Sequence, residues 1–181
     1  MKKLSTKQIV TAGVCLAIMI LSQFLKNLSV YITGPIVNTC LIIATLSLGP
    51  VVGVILSIIA PVTSFFITGS PLMQAIPLII PAVMMGNIII CLVTYVCAKK
   101  IKNFAGLPVG LVLGSVLKAL FMGGVISNCL LVYIPTMLPE KAIAAAKVTF
   151  SVTQLITSLI GSVLAYIIWM SAGKVLMNSE N

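Results

Sequence analysis

Long apolar segments without acidic residues decide what this chain can fold into. Of its 181 residues, 60% are hydrophobic and 7% are charged, whereas about a quarter of the residues in an ordinary soluble domain are charged. The acids are Glu140 and Glu180, and all eleven basic residues are lysine. An apolar run of about 20 residues can cross a bilayer as a helix. The sequence therefore predicts a single all-α integral membrane domain over residues 1–181.

Turn signals divide the apolar sequence into six predicted transmembrane helices. The run from Tyr31 to Ile67 would be roughly 55 Å long as one helix, which exceeds the thickness of a bilayer. Gly49 and Pro50 lie at its centre, and a Gly-Pro pair is a strong turn signal. The predicted spans cover about 6–25, 32–46, 51–67, 72–98, 109–133 and 148–176. We also expect a short helix to begin at Pro139 and Glu140, in the loop before the last span.

Two prolines in the fourth predicted span indicate a cavity wall. Pro77 and Pro81 remove backbone donors and free the carbonyl groups on one helix face. At membrane depth such backbone is tolerated only where it is buried in protein or lines a cavity. We therefore expect the first half of this span to line a cavity.

The lysines indicate how the chain lies in the membrane, because cytoplasmic loops are enriched in positive charge. With six spans, one side carries Lys2, Lys3, Lys7, Lys99, Lys100, Lys102 and Lys174, and the other carries Lys26, Lys141 and Lys147. This bias predicts that both termini are cytoplasmic.

The residue inventory excludes several functional classes. The chain has no His and no Asp, and no acid lies within an apolar run, although acid–base and metal chemistry need such groups close together. The five cysteines lack CxxC spacing and are expected to pack as small hydrophobes. No phosphate-binding loop motif occurs, and no basic patch is interleaved with aromatic residues. We predict no enzymatic activity, no metal, no bound cofactor and no nucleic-acid binding.

Lys118 is the strongest functional signal. It lies near the middle of the fifth predicted span, where an ammonium group costs several kcal/mol unless it is paired or hydrated. No acid in any predicted span can pair with it. Lys118 therefore either faces a polar cavity and binds an anionic group of a ligand, or it is structural. In the structural case it snorkels to the membrane surface or bonds to carbonyl groups of a neighbouring helix.

Other polar side chains lie within or near the ends of the predicted spans. Asn38, Asn87, Asn128 and Gln154 either bind a ligand or link two helices. Gln74 and Tyr133 lie near the outer level, where Tyr133 is alternatively an ordinary interfacial aromatic residue. The predicted substrate-binding residues are Lys118, Asn128, Gln154, Asn87, Gln74 and Tyr133.

Small residues on the first predicted span form a packing surface. Gly13 and Ala17 have small-xxx-small spacing, and Ala12 lies beside them. Such a pair lets another helix approach closely. The approaching helix belongs either to a partner protein or to this chain.

This layout resembles the substrate-binding S components of energy-coupling-factor (ECF) vitamin transporters. The shared features are six spans in about 180 residues, a basic N-terminus and the small-xxx-small pair. Segments 34–38 and 48–53 are also similar to the family. Within the second segment, the turn formed by Gly49, Pro50 and Gly53 is the feature most indicative of the resemblance. Gly86 and Asn87 in the fourth span are also similar.

The resemblance implies a function. S components lie in the prokaryotic cell membrane, bind a vitamin or related micronutrient from outside, and dock on a scaffold subunit with two cytoplasmic ATPases. In the family the small-xxx-small face contacts the scaffold, which here corresponds to Gly13, Ala17 and Ala12. The family's ligand pocket lies near the outer surface, between the outer loops and spans four to six. The S component topples in the bilayer to release its ligand, and ATP is hydrolysed by the partners.

The differences from the family's usual pockets narrow the range of ligands that this chain could bind. The expected pocket contains no acid and few aromatic residues, so a cationic ligand is disfavoured. If Lys118 reaches the pocket, a carboxylate is preferred, and nicotinate, pantothenate, biotin or lipoate would suit it. Two other classes stay open: a stand-alone ion-coupled carrier or channel, and a non-transporting membrane scaffold. Ion-coupled carriers usually contain intramembrane acids or inverted repeats, and neither is evident in this sequence.

Overall fold

The computed structural model describes residues 6–25, 29–101 and 105–177, with the backbone alone for residues 7 and 173–177. Within these residues every regular element is helical. The helices are α1 Thr6–Phe24, α2 Val30–Leu48, α3 Pro50–Thr68, α4 Pro71–Ala75, α5 Ile79–Lys100, α6 Gly106–Tyr133 and α7, residues 140–177. The predicted all-α membrane class is confirmed.

Five of the described helices are long and apolar enough to cross a membrane, namely α2, α3, α5, α6 and α7. The apolar part of α1, Gln8–Phe24, is shorter. Six spans and cytoplasmic termini therefore remain predictions. Four of the lysines behind the predicted orientation, Lys2, Lys3, Lys26 and Lys102, lie outside the described residues.

The chain turns between α2 and α3 at Gly49 and Pro50, where the sequence predicted a turn. Gly49 has a φ of 95°, which side chains with a Cβ rarely adopt. Pro50 is the first residue of α3, a position where its missing N–H has no helical partner to lose. Both helices extend slightly beyond their predicted limits because the turn itself needs only one residue.

The fourth predicted span, 72–98, is interrupted in the structure. Helix α4 ends at Ala75, and α5 begins at Ile79. Pro77 lies in the break, since a proline inside a helix removes a hydrogen bond and clashes with the preceding turn. Pro81 is tolerated in the first turn of α5. Both proline side chains are exposed, so the cavity wall on this segment is formed by other residues.

The predicted loop 134–147 is shorter in the structure, because α7 begins at Glu140 and continues without a break. Helices α6 and α7 each contain a π-helical segment, Gly123–Leu130 and Thr149–Thr153. The two helices are linked here by the Ser127 hydroxyl, which donates to the Lys147 carbonyl oxygen at 2.9 Å. Such wide turns are frequent at functional sites.

Small and hydroxyl-bearing residues hold the central helices together. Gly161 of α7 packs directly on α2, where an added Cβ would lie 2.7 Å from Cβ of Asn38 and 2.8 Å from the Pro35 carbonyl oxygen. The Thr39 hydroxyl donates to the Gly161 carbonyl oxygen at 3.0 Å. Because α2 also packs on α1, α3 and α5, its position determines that of its neighbours.

We expect Gly161→Ala to destabilise the purified protein, because the added methyl group would push α7 away from α2. Overpacking of this kind typically costs about 1–3 kcal/mol. The measurement is the thermal unfolding midpoint in detergent. Gly13→Ala is the matched control, since its added Cβ would meet no atom within 4 Å. Equal midpoints for the two variants would contradict the close α2–α7 contact.

Candidate functional site

A cavity of about 120 Å³ lies within the helix bundle. Its lining residues come from all seven described helices, and those of α7 lie within or directly after the segment Thr149–Thr153. They are Gln23, Val30, Thr33, Gly34, Val37, Asn38, Ala60, Pro61, Ser64, Met73, Val83, Asn87, Lys118, Thr149, Phe150 and Gln154. Most of these belong to the half of the bundle in which α1 and α3 end and α2 and α5 begin. The cavity is thus associated with one membrane side.

The deepest polar side chains of the cavity share one level. Asn38 and Asn87 each lie eight residues after the first residue of their helix, which corresponds to a depth of about 12 Å at 1.5 Å per residue. Ala60 lies eight residues before the end of α3, and Lys118 is near the middle of α6. The polar floor of the cavity is therefore well inside the apolar bundle.

Lys118 is held by two asparagine side chains. Its Nζ atom donates to Oδ1 of Asn38 at 2.6 Å and to Oδ1 of Asn87 at 2.8 Å. The lysine is 3% exposed, and both asparagines are buried. Residues from α2, α5 and α6 thus converge on one ammonium group. Its partners are neutral side-chain amides, rather than the backbone carbonyl groups of the structural alternative.

The hydrogen-bond pattern makes this end of the cavity rich in donors. A lysine ammonium has three N–H donors, and the two asparagines use two of them. Because both Oδ1 atoms accept from Lys118, each amide directs its NH₂ group elsewhere. The one acid in the described part of the chain, Glu140, is exposed. The positive charge is hydrogen-bonded but not neutralised.

Close helix packing explains how Lys118 reaches its partners. Gly86 precedes Asn87 on α5, and an added Cβ there would lie 2.8 Å from Met122 and 3.6 Å from Cγ of Lys118. Its missing side chain lets α6 approach α5 closely. On the other side, Gly161 supports the backbone next to Asn38. The asparagines are therefore positioned by contacts between helices that are distant in sequence.

The structure brings together three of the six predicted substrate-binding residues. Lys118, Asn87 and Gln154 line the cavity. So does Asn38, which the sequence marked as polar at depth. Sequence reasoning missed Gln23, Thr33, Ser64 and Thr149 as lining residues. Gln23 could have been identified as a polar residue near the end of an apolar helix.

The other three predicted residues do not line this cavity. Gln74 is exposed, and its Nε2 atom donates to the Gly69 carbonyl oxygen at 2.9 Å. Tyr133 is 79% exposed, and Asn128 is exposed on the π-helical segment of α6. All three side chains are exposed and lie outside the cavity lining.

The small-residue face of α1 is open. Gly13 and Ala17 are exposed, and a Cβ added to Gly13 would meet nothing within 4 Å. Ala12 is partly buried and packs against the chain's own core. Of the two alternatives, packing within the chain applies to Ala12, whereas Gly13 and Ala17 are accessible to another molecule.

We expect Asn87→Leu to destabilise the protein by about 1–3 kcal/mol, because the buried Lys118 loses one of its two acceptors. In a Lys118→Met background the same change should cost less, with a coupling energy of about 0.5–3 kcal/mol. Unfolding by SDS titration of the purified single and double variants measures this coupling.

The control for this cycle is Asn128→Leu, which removes an exposed amide and should change the unfolding free energy little in either background. Strictly additive losses for Asn87→Leu and Lys118→Met would contradict the interaction.

Comparison with known proteins assigns the chain to a family. Residues 7–172 match the family model described as ECF transporter, substrate-specific component. No curated protein and no solved structure matches the chain significantly. The family match confirms the resemblance inferred from the sequence, and these components are transport proteins rather than enzymes. The match includes every residue that lines the cavity. Because it covers most of the chain, this chain belongs to the family of substrate-specific components of ECF transporters.

Proposed function

We propose that this chain captures a small carboxylate-bearing micronutrient in the cavity above Lys118. The observation that carries the proposal is the geometry of that lysine, whose buried ammonium binds two neutral amide oxygens and has no acid beside it within the described residues. A carboxylate would supply the missing negative charge. Ionisable residues inside a membrane usually mark a substrate or ion pathway.

The donors around Lys118 favour an anion over a cation. The third N–H of the ammonium and the NH₂ groups of Asn38 and Asn87 are all donors, and a carboxylate accepts several hydrogen bonds at once. Charge-assisted hydrogen bonds of this kind are roughly twice as strong as neutral ones. A cationic ligand would instead face the ammonium group across a cavity of low dielectric constant.

The location of the cavity supports capture from one side of the membrane. It lies in the half of the bundle opposite the end of α5, where Lys99 and Lys100 are exposed. Under the predicted orientation this cluster faces the cytoplasm, so the cavity faces the outside. We propose that the chain is in a prokaryotic plasma membrane and takes its ligand from the external medium.

We propose further that transport is powered by partner subunits. The chain contains no phosphate-binding loop motif and no intramembrane acid, which leaves it without an evident means of its own to use ATP or a proton gradient. The exposed Gly13 and Ala17 on α1 offer a surface on which a helix of an ECF scaffold subunit can pack. Two cytoplasmic ATPases bound to the scaffold would hydrolyse the ATP.

We expect Lys118→Met to lower the affinity for the cognate carboxylate at least 100-fold, which is about 2.7 kcal/mol. Methionine retains the length of the side chain but removes the charge and the donors. Calorimetry on the purified protein with nicotinate, pantothenate, biotin and lipoate as the panel measures this change. Lys141→Met is the control, because Lys141 is exposed near the start of α7. Unchanged affinity in Lys118→Met would refute the anion site.

We expect Ala17→Trp to abolish co-purification with the scaffold subunit and to leave ligand affinity unchanged, because the indole would keep the partner helix from approaching α1. Ile167→Trp, at an exposed position of α7, is the matched control and should co-purify normally. If Ala17→Trp still co-purifies, the docking face lies elsewhere. Vesicles that accumulate the ligand with this chain alone would contradict the dependence on partner ATPases.

A further inference from the structure

Gln23 carries an unpaired hydrogen-bond acceptor in the wall of the cavity. This side chain is 2% exposed and lines the cavity near the end of α1. Its Nε2 atom donates to the Ala60 carbonyl oxygen of α3 at 3.0 Å. Its Oε1 atom is buried and has no hydrogen-bond partner among the described residues. Buried side-chain oxygens without a partner are rare, because each loses its hydration without compensation.

The orientation of this amide is fixed by its neighbour. Exchanging the oxygen and nitrogen of Gln23 would place Oε1 against the Ala60 carbonyl oxygen, so that two acceptors would face each other. The acceptor therefore cannot be satisfied by turning the amide over. The unpaired acceptor thus belongs to a residue that lines the cavity.

Two polar groups of the cavity lining differ in hydrogen-bonding character. The group formed by Lys118, Asn38 and Asn87 offers donors. Gln23, held on a different pair of helices, offers an acceptor. Apolar side chains such as Val37 and Val83 also line the cavity. A molecule that satisfies both polar groups needs an acceptor for the first and a donor for the second.

We infer that the ligand of this cavity is a compact carboxylate that also carries an N–H or O–H group, and that this group donates to Oε1 of Gln23. The inference rests on the proposed function, since it places the carboxylate at Lys118. The cavity volume of about 120 Å³ is on the order of the space that holds a benzene-sized molecule. One ring or a short chain therefore fills it. Nicotinate, whose ionised form lacks such a donor, does not meet this requirement.

Matched probe pairs test the donor requirement on the purified full-length chain. The probes are the 2-, 3- and 4-aminobenzoates, each compared with the methylbenzoate of the same substitution pattern. An amino and a methyl group are similar in size, so each pair differs mainly in the donor. We expect the amino compound of at least one pair to bind the unmodified chain at least tenfold more tightly, as measured by calorimetry.

Variants then locate the donor's partner. In Gln23→Met the preference for the amino compound should disappear, because methionine retains the shape of the side chain but has no amide oxygen. Gln8→Met, near the other end of α1, is the matched control and should retain the preference. Lys118→Met should weaken both members of each pair equally, because the carboxylate is common to them.

Each result decides between distinct conclusions. If the unmodified chain binds both members of every pair equally, and Lys118→Met abolishes that binding, the donor inference is wrong and the carboxylate site stands. A preference that survives in Gln23→Met likewise overturns the assignment to Gln23. If no probe binds at millimolar concentration, the inferred compact ligand is wrong, whereas the carboxylate site is decided separately by the Lys118→Met measurement with the panel of carboxylates. The comparison of probes on the unmodified chain does not depend on whether Gln23→Met folds.

Discussion

The structure depends on a buried positive charge that is hydrogen-bonded but not neutralised. Asn38 and Asn87 accept two N–H bonds from Lys118 and hold its ammonium deep in an apolar bundle. An aspartate or glutamate in either position would have formed an internal ion pair. Neutral amides fix the position of the lysine and leave its charge without a counter-ion.

The helices around this lysine are arranged by small residues. Gly86 lets α6 approach α5, and Gly161 lets α7 approach α2, so the helices that supply the polar floor are held by direct contacts. The wide turns in α6 and α7 lie next to each other near the same cavity, linked through Ser127 and the Lys147 carbonyl oxygen. Apolar side chains such as Leu120 and Ile167 are exposed on the outside of the bundle, as expected of a surface that meets lipid. The polar groups are thereby concentrated where a ligand can use them.

Part of the site could be identified from the sequence, because a polar residue within an apolar run is uncommon and expensive. That argument selected Lys118, Asn87 and Gln154, which do meet at the cavity. The same argument selected Gln74, Asn128 and Tyr133 from their positions along the predicted spans, but these residues do not line the cavity. Position along a helix indicates depth, whereas the direction of a side chain also depends on helix rotation, which the break at Pro77 and the π-helical turns alter.

The sequence by itself determined the environment and the elements. Apolar runs define membrane helices, Gly49 and Pro50 define a turn, and the lack of acids within the apolar runs leaves a lysine buried there without an internal counter-ion. These properties are local, since each follows from the residues within one or two turns of helix. Only the tertiary structure decided that Lys118 meets Asn38, which is 80 positions away, and Asn87, which is 31 away. It alone showed that Gln23, which lines the cavity, carries an unpaired acceptor. Such contacts depend on how helices rotate and pack against one another, and helical periodicity does not specify that arrangement.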